Sequence, residues 1–155
     1  VISWYVNGVL LKSGDQKTIL PDEKDQSGAK VLIPGASIRA EVAPSDGVAI
    51  GVTVTSSTVI VDGTPPTVDN VLVIPSVPTA ASDLTLKYVF DSPDGREDQS
   101  TVAWYKDGVV VSELADLRQV SRVNLAPGQQ WYSVVTPNDG TQGAPVRSNV
   151  VVVNR

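Results

Sequence analysis

Four carboxylates fall within eight residues, at Asp91, Asp94, Glu97 and Asp98, around an Asp-Gly turn. Calcium takes several oxygen ligands from a tight loop, so a calcium site is one expectation for this segment. The spacing is not that of an EF-hand, and Arg96 in its middle opposes a cation. The competing reading, an exposed turn whose Asp residues cap their own backbone, is the commoner fate of acidic turns. Beyond this cluster, the chain holds no Cys and no His. Thiolate nucleophiles, disulfides, zinc fingers and imidazole acid–base chemistry are thereby excluded. No Gly-rich phosphate loop follows a strand and opens a helix.

The aromatic residues offer a second kind of chemistry. Tyr5, Tyr105 and Tyr132 are expected to point outward from their strands, as surface contacts or as cross-strand pairs. Trp4 and Trp104 each stand mid-strand before a hairpin turn. They could stack on sugar, but a tryptophan there more often fills the space between two sheets. Trp131 aligns with the aliphatic Ile38, which also points to core.

The elements that must position these residues are strands. Val occurs 28 times among 155 residues, and 12 Gly and 11 Pro are spread along the chain as punctuation. The best window for an amphipathic helix, Ser112 to Val123, is short and uncapped. Net charge is −5 with no basic cluster, which argues against nucleic acid as a partner. The longest apolar run, Val150 to Val153, is too short to span a bilayer.

An internal repeat sets the organisation. Trp4-Tyr5-Val6-Asn7-Gly8-Val9 recurs as Trp104-Tyr105-Lys106-Asp107-Gly108-Val109. Pro44-Ser45-Asp46-Gly47 recurs as Pro137-Asn138-Asp139-Gly140, with Gly51 and Gly143 following. Ser56-Ser57-Thr58-Val59-Ile60-Val61 matches Ser148-Asn149-Val150-Val151-Val152-Val153. The offset drifts from 100 to 92 residues through loop length. Residues 67–155 have a full set of strands, whereas 1–63 hold only the later ones, so the first copy is expected to be incomplete at its N-terminus. Upstream sequence or another chain would have to supply the missing strands. Residues 64–66, Thr-Pro-Pro, are expected to form a stiff extended joint, as in a stalk.

In the second copy, strands are expected at Val68–Ile74, Ser82–Phe90, Thr101–Lys106, Val109–Ser112, Arg122–Leu125, Gln130–Thr136 and Val146–Val153. Leu84, Leu86, Tyr88 and Phe90 alternate with polar or outward residues and should face the core. The first copy sets the register of 130–136: Trp131, Ser133 and Val135 point inward. Strands this short, separated by turn signals, indicate a two-sheet sandwich. Small sandwiches have filled interiors, with no cleft to shift a carboxylate pKa, so no catalytic residue and no enzyme activity are expected.

The order Asp-x-Pro-Asp-Gly turn, Trp-Tyr-Lys-Asp-Gly hairpin, Pro-Gly, Trp-Tyr strand, Pro-Asn-Asp-Gly and Ser-Asn-x-Val resembles bacterial, archaeal and phage immunoglobulin-like repeats. It is similar also to polycystic-kidney-disease-type domains. The resemblance implies an all-β chain of tandem immunoglobulin-like sandwiches with a structural or adhesive role, no cofactor other than the calcium considered above, and a place outside the cell or on a virion. Its partners would be further repeats of the same chain, neighbouring subunits, or a surface glycan or protein. A carbohydrate-binding appendage of a secreted enzyme and a calcium-rigidified spacer are the rival expectations.

Overall fold

The computed structural model describes residues 1–155, which divide into two compact units, Val1–Gly63 and Thr64–Arg155. Both are built from strands, and the only helical turns are two short 3-10 turns at Ser112–Leu114 and Arg122–Asn124. No helix is long and apolar enough to cross a membrane.

The second unit has two sheets. One runs β10-β7-β6, from β6 (Thr67–Ile74), β7 (Leu84–Asp91) and β10 (Gln119–Val120). The other is ordered β12-β11-β8-β9, with β13 also on β11. Its strands are β8 (Thr101–Lys106), β9 (Val109–Val110), β11 (Gln130–Thr136), β12 (Val146–Arg147) and β13 (Val151–Val152). Alternate residues of both sheets meet in one core: Val73, Leu84 and Leu86 from the first, Trp104, Trp131 and Val135 from the second. Tyr88 and Phe90 are half-buried and pack against its edge. Ser133 is buried among them because its hydroxyl donates to the Ala103 carbonyl (3.1 Å).

Two stretches differ from their sequence expectation. Arg122–Leu125 is not a strand. Asp83 caps a 3-10 turn there, accepting from the Arg122 amide (2.8 Å) and guanidinium, and Val123 is 84% exposed. The partner of β7 is instead Gln119–Val120. Val146–Val153 is broken in two because Ser148 enters the ladder. Its hydroxyl accepts from the Ser133 amide (2.9 Å) and donates to the Asn149 carbonyl (2.8 Å).

The first unit is a single antiparallel sheet ordered β2-β1-β3-β4, with β5 also on β3. Its strands are β1 (Ile2–Val6), β2 (Val9–Gly14), β3 (Ser37–Val42), β4 (Val54–Thr55) and β5 (Val59–Ile60). Trp4, expected in the core, is only half-buried, because no second sheet lies over its face within residues 1–63. Residues 64–66, expected as a joint, belong to the second unit: Pro66 is buried, and the Thr64 amide donates to Asp94 Oδ2 (2.7 Å).

Candidate functional site

The outer face of the five-stranded sheet in the second unit carries two partly exposed tyrosines, Tyr105 and Tyr132. Strand register sets Tyr105 of β8 directly opposite Tyr132 of β11. Their rings stack with centroids 4.8 Å apart and planes 4° from parallel. On the far side of β11, the Arg147 guanidinium lies over the Tyr132 ring at 5.0 Å. Tyr105 in turn has Val110 of β9 as its other cross-strand neighbour. The row Val110, Tyr105, Tyr132, Arg147 is therefore a ladder of side chains satisfied within the sheet. A sugar platform needs an open ring face, and Tyr132 has none.

Tyr5 sits on the outer face of the first unit. Its cross-strand neighbours are Leu10 and Arg39, and the Arg39 guanidinium lies 4.2 Å from its ring centre. Arg39 also pairs with Glu41. The Tyr5 hydroxyl is raised above the usual phenol range, first by its hydrogen bond with Glu41 and then by burial. Arg39 in the first unit thus occupies the place that Tyr132 holds in the second.

The acidic turn does not assemble a metal centre. Asp94 holds the Thr64 amide, and Asp91 ends β7 opposite Thr67. Glu97 is exposed. Asp98 accepts from the Tyr88 hydroxyl (3.0 Å), the Ser100 amide (2.9 Å) and Arg118 (3.4 Å). Burial pushes the Asp98 carboxyl upward, but the Ser100, Tyr88 and Arg118 interactions outweigh it and hold the group below the usual carboxylate range. Tyr88 moves the other way, raised by burial and by its bond to Asp98. No group of three or more acidic residues converges to hold a metal ion. Asp94 and Asp98 thus face separate protein donors and do not converge on one point.

Sequence reasoning missed the group that organises this end of the sandwich. Asp139 is buried, and its Oδ2 accepts from the Ser92 hydroxyl (2.5 Å) while Oδ1 accepts from the Thr141 amide (3.0 Å). Those two bonds, with the Ser92 hydroxyl foremost, lower its pKa against an opposing effect of burial. At the other end of β6, Asn149 accepts from the Val73 amide (2.7 Å) and donates to the Val73 carbonyl (3.1 Å). The signal was present in the repeated Pro-x-Asp-Gly segment, but the partner Ser92 lies 47 residues away.

No protein-family model matches the chain, and no curated protein matches it. Among solved structures, it is similar to the Clostridium thermocellum CbhA fibronectin(III)-like modules. Identity is 18% and the TM-score 0.39, over 99% of this chain and 77% of that one.

Proposed function

We propose that this chain is a non-enzymatic structural module made of two successive copies of one immunoglobulin-like domain. Residues 1–63 are the rear part of the first copy, and 67–155 are a complete second. The observation that carries this reading is a shared set of hydrogen bonds. Asn7 Oδ1 accepts the Ser37 amide and Asp107 Oδ1 the Gln130 amide, 2.9 and 2.8 Å. Ser56 breaks its ladder by taking the Ala40 amide, as Ser148 takes that of Ser133, both at 2.9 Å. The Trp4 indole donates to the Gln16 carbonyl (2.9 Å), and the Trp104 indole to that of Leu117 (2.8 Å). Gly51 and Gly143 donate to the carbonyls of Pro44 and Pro137, each at 2.8 Å. Unrelated sheets have no reason to share side-chain devices at matched sequence offsets.

The role follows from what the surfaces leave free. Tyr132 has its ring taken by Tyr105 and Arg147, Tyr5 carries Arg39 on its ring, and Asp94 and Asp98 of the acidic turn hold Thr64, Tyr88 and Arg118. Repetition of such a unit gives length and shape, which suits an extracellular spacer or adhesive segment on a microbial surface, or a virion decoration. Antibodies raised to residues 64–155 test the location. Labelling of intact cells or particles is expected; labelling only after permeabilisation would overturn it. Retention on a glycan array through Tyr105 or Tyr132 would overturn the structural reading in favour of a carbohydrate-binding appendage.

A further inference from the structure

Two glycines at matched positions have unequal surroundings. Neither Gly51 nor Gly143 has the positive φ that favours glycine. Gly143 is nonetheless required: a Cβ there would collide with the Pro66 carbonyl oxygen, because the segment that enters β6 crosses directly over it. At Gly51 the only neighbouring atoms are those of Pro44. The place that Pro66 fills in the second unit is in the first a shallow, open depression lined by Pro44, Ser45, Asp46, Ala49, Ile50 and Gly51.

Asp46 repeats the asymmetry. Its counterpart Asp139 uses one carboxylate oxygen for its own loop and the other for Ser92, at the end of the β6–β7 segment. In Asp46, Oδ1 accepts the Val48 and Ala49 amides (2.9 and 2.8 Å), and the residue is exposed beside the depression. The sheet face tells the same story. In the second unit β6 and β7 cover Trp104 completely. In the first, Ile2, Trp4, Val6, Ile38 and Ala40 are all half-buried and Val42 is exposed. Lys12, the cross-strand partner of Trp4, has its charge paired with Glu23 (2.7 Å), and the β1 and β3 side chains of this face are apolar, so the complement of that part is apolar.

We propose that residues 1–63 form a receptor for a polypeptide strand pair with the chemistry of residues 64–92. The occupant enters through a proline whose carbonyl lies over Gly51. It lays alternating Val and Leu side chains on the Trp4 face and sets a Ser or Thr hydroxyl on Asp46. This deepens the reading of 1–63 as the rear of a repeated domain and rests on it. It adds which residues receive the occupant and what the occupant must look like.

The test uses the full chain and a synthetic peptide of residues 64–99, followed by amide exchange of β1, β3 and Gly51. The peptide is expected to slow exchange at Trp4, Ala40 and Gly51. Gly51→Val in the chain should weaken binding at least about tenfold, since any side chain there occupies the carbonyl's place. Ser92→Ala in the peptide should weaken it by a smaller factor, and this variant leaves the chain's own folding untouched. Protected β1–β3 amides with no response to peptide overturn the receptor and leave the repeat intact. Dimerisation of the chain through the Trp4 face, indifferent to Gly51→Val, overturns it in favour of a second copy as occupant. Absence of the β1–β3 sheet with and without peptide overturns both readings.

Discussion

Residues 1–63 and 64–155 build their sheets with the same turns and the same side-chain hydrogen bonds, yet only the second has a large core. Positive-φ hairpins at Asn7-Gly8 and Asp107-Gly108 set the Trp-bearing strand against its neighbour in both. The ladder-breaking serines, Ser56 and Ser148, interrupt the last strand in both. In the second unit fourteen buried residues form one cluster; in the first, Val31 and Ala36 are the buried apolar residues. Turn chemistry and hydrogen bonds therefore define how strands pair, while a second layer decides whether the paired face becomes a core. A sheet has its shape from the former and most of its stability from the latter, because burial of each large apolar side chain contributes ~1.5–3 kcal/mol.

The sharpest test is the tryptophan pair. Trp104→Ala removes a fully buried indole and should destabilise the second unit by ~3–5 kcal/mol in urea denaturation. Trp4→Ala at the matched position should cost less, below ~2 kcal/mol, since part of the indole stays in contact with solvent. Equal losses at the two sites would break the distinction between a covered and an uncovered face.

Asn149 comes next. It ties the last strand region to β6 through both sides of the Val73 peptide, so Asn149→Ala should cost ~1–3 kcal/mol by leaving those buried groups unpaired. Ser57 stands at the same position in the first unit, and Ser57→Ala should stay within ~0.5 kcal/mol of the parent, as surface changes do. A comparable loss at Ser57 would mean that the first unit holds a tie like that of the second.

Acid should separate the two aspartates by smaller amounts. Asp139 and Asp46 both have carboxyls held below their ordinary value of 3.8, Asp139 first by the Ser92 hydroxyl and Asp46 first by the Ala49 amide. A lowered folded-state pKa contributes stability that is present above the unfolded value and lost as pH falls through the folded one. Urea midpoints of the second unit should therefore decline below about pH 4, and Asp139→Asn should flatten part of that decline. Asp46→Asn should leave the second unit's profile unchanged. An unchanged profile in Asp139→Asn would show that the Ser92 bond contributes nothing through ionisation.

Much of this architecture was legible because it rests on local rules. Alternation placed Leu84 and Leu86 inward, and the repeat transferred the register of 38–42 onto Trp131, Ser133 and Val135. Asp-Gly and Asn-Gly marked the hairpins. What was not legible depended on distant partners. Arg122–Leu125 reads as a strand until Asp83, 39 residues away, caps it as a 3-10 turn. The cluster Asp91, Asp94, Glu97 and Asp98 reads as a cation loop, but Thr64 claims an oxygen of Asp94, and Tyr88 and Arg118 claim one of Asp98. Trp4 reads as core because its strand matches that of Trp104, and sequence periodicity carries no information on whether a second sheet is present. Residues Tyr5, Tyr105 and Tyr132 were placed on the outer faces, but their ring partners depended on register.

The smallest effect expected concerns those outer faces. Tyr105 and Tyr132 stack directly across β8 and β11, whereas the first unit places Arg39 beside Tyr5 at the same point of the sheet. A double-mutant cycle on Tyr105→Ala and Tyr132→Ala should give a coupling of ~0.2–1 kcal/mol, the range for cross-strand pairs relative to Ala–Ala. The Tyr5–Arg39 cycle should fall in the lower part of that range and shrink further in high salt, because it draws on a cation over a ring and on the Arg39–Glu41 pair. The stacked tyrosines carry no charge between them, so their coupling should be indifferent to salt. Arg147→Ala would separate the contributions, since it uncovers one face of Tyr132 without touching the stack. If Tyr105 and Tyr132 prove uncoupled, the rings are free to turn outward, and the ladder that denies a sugar its platform would not hold in solution.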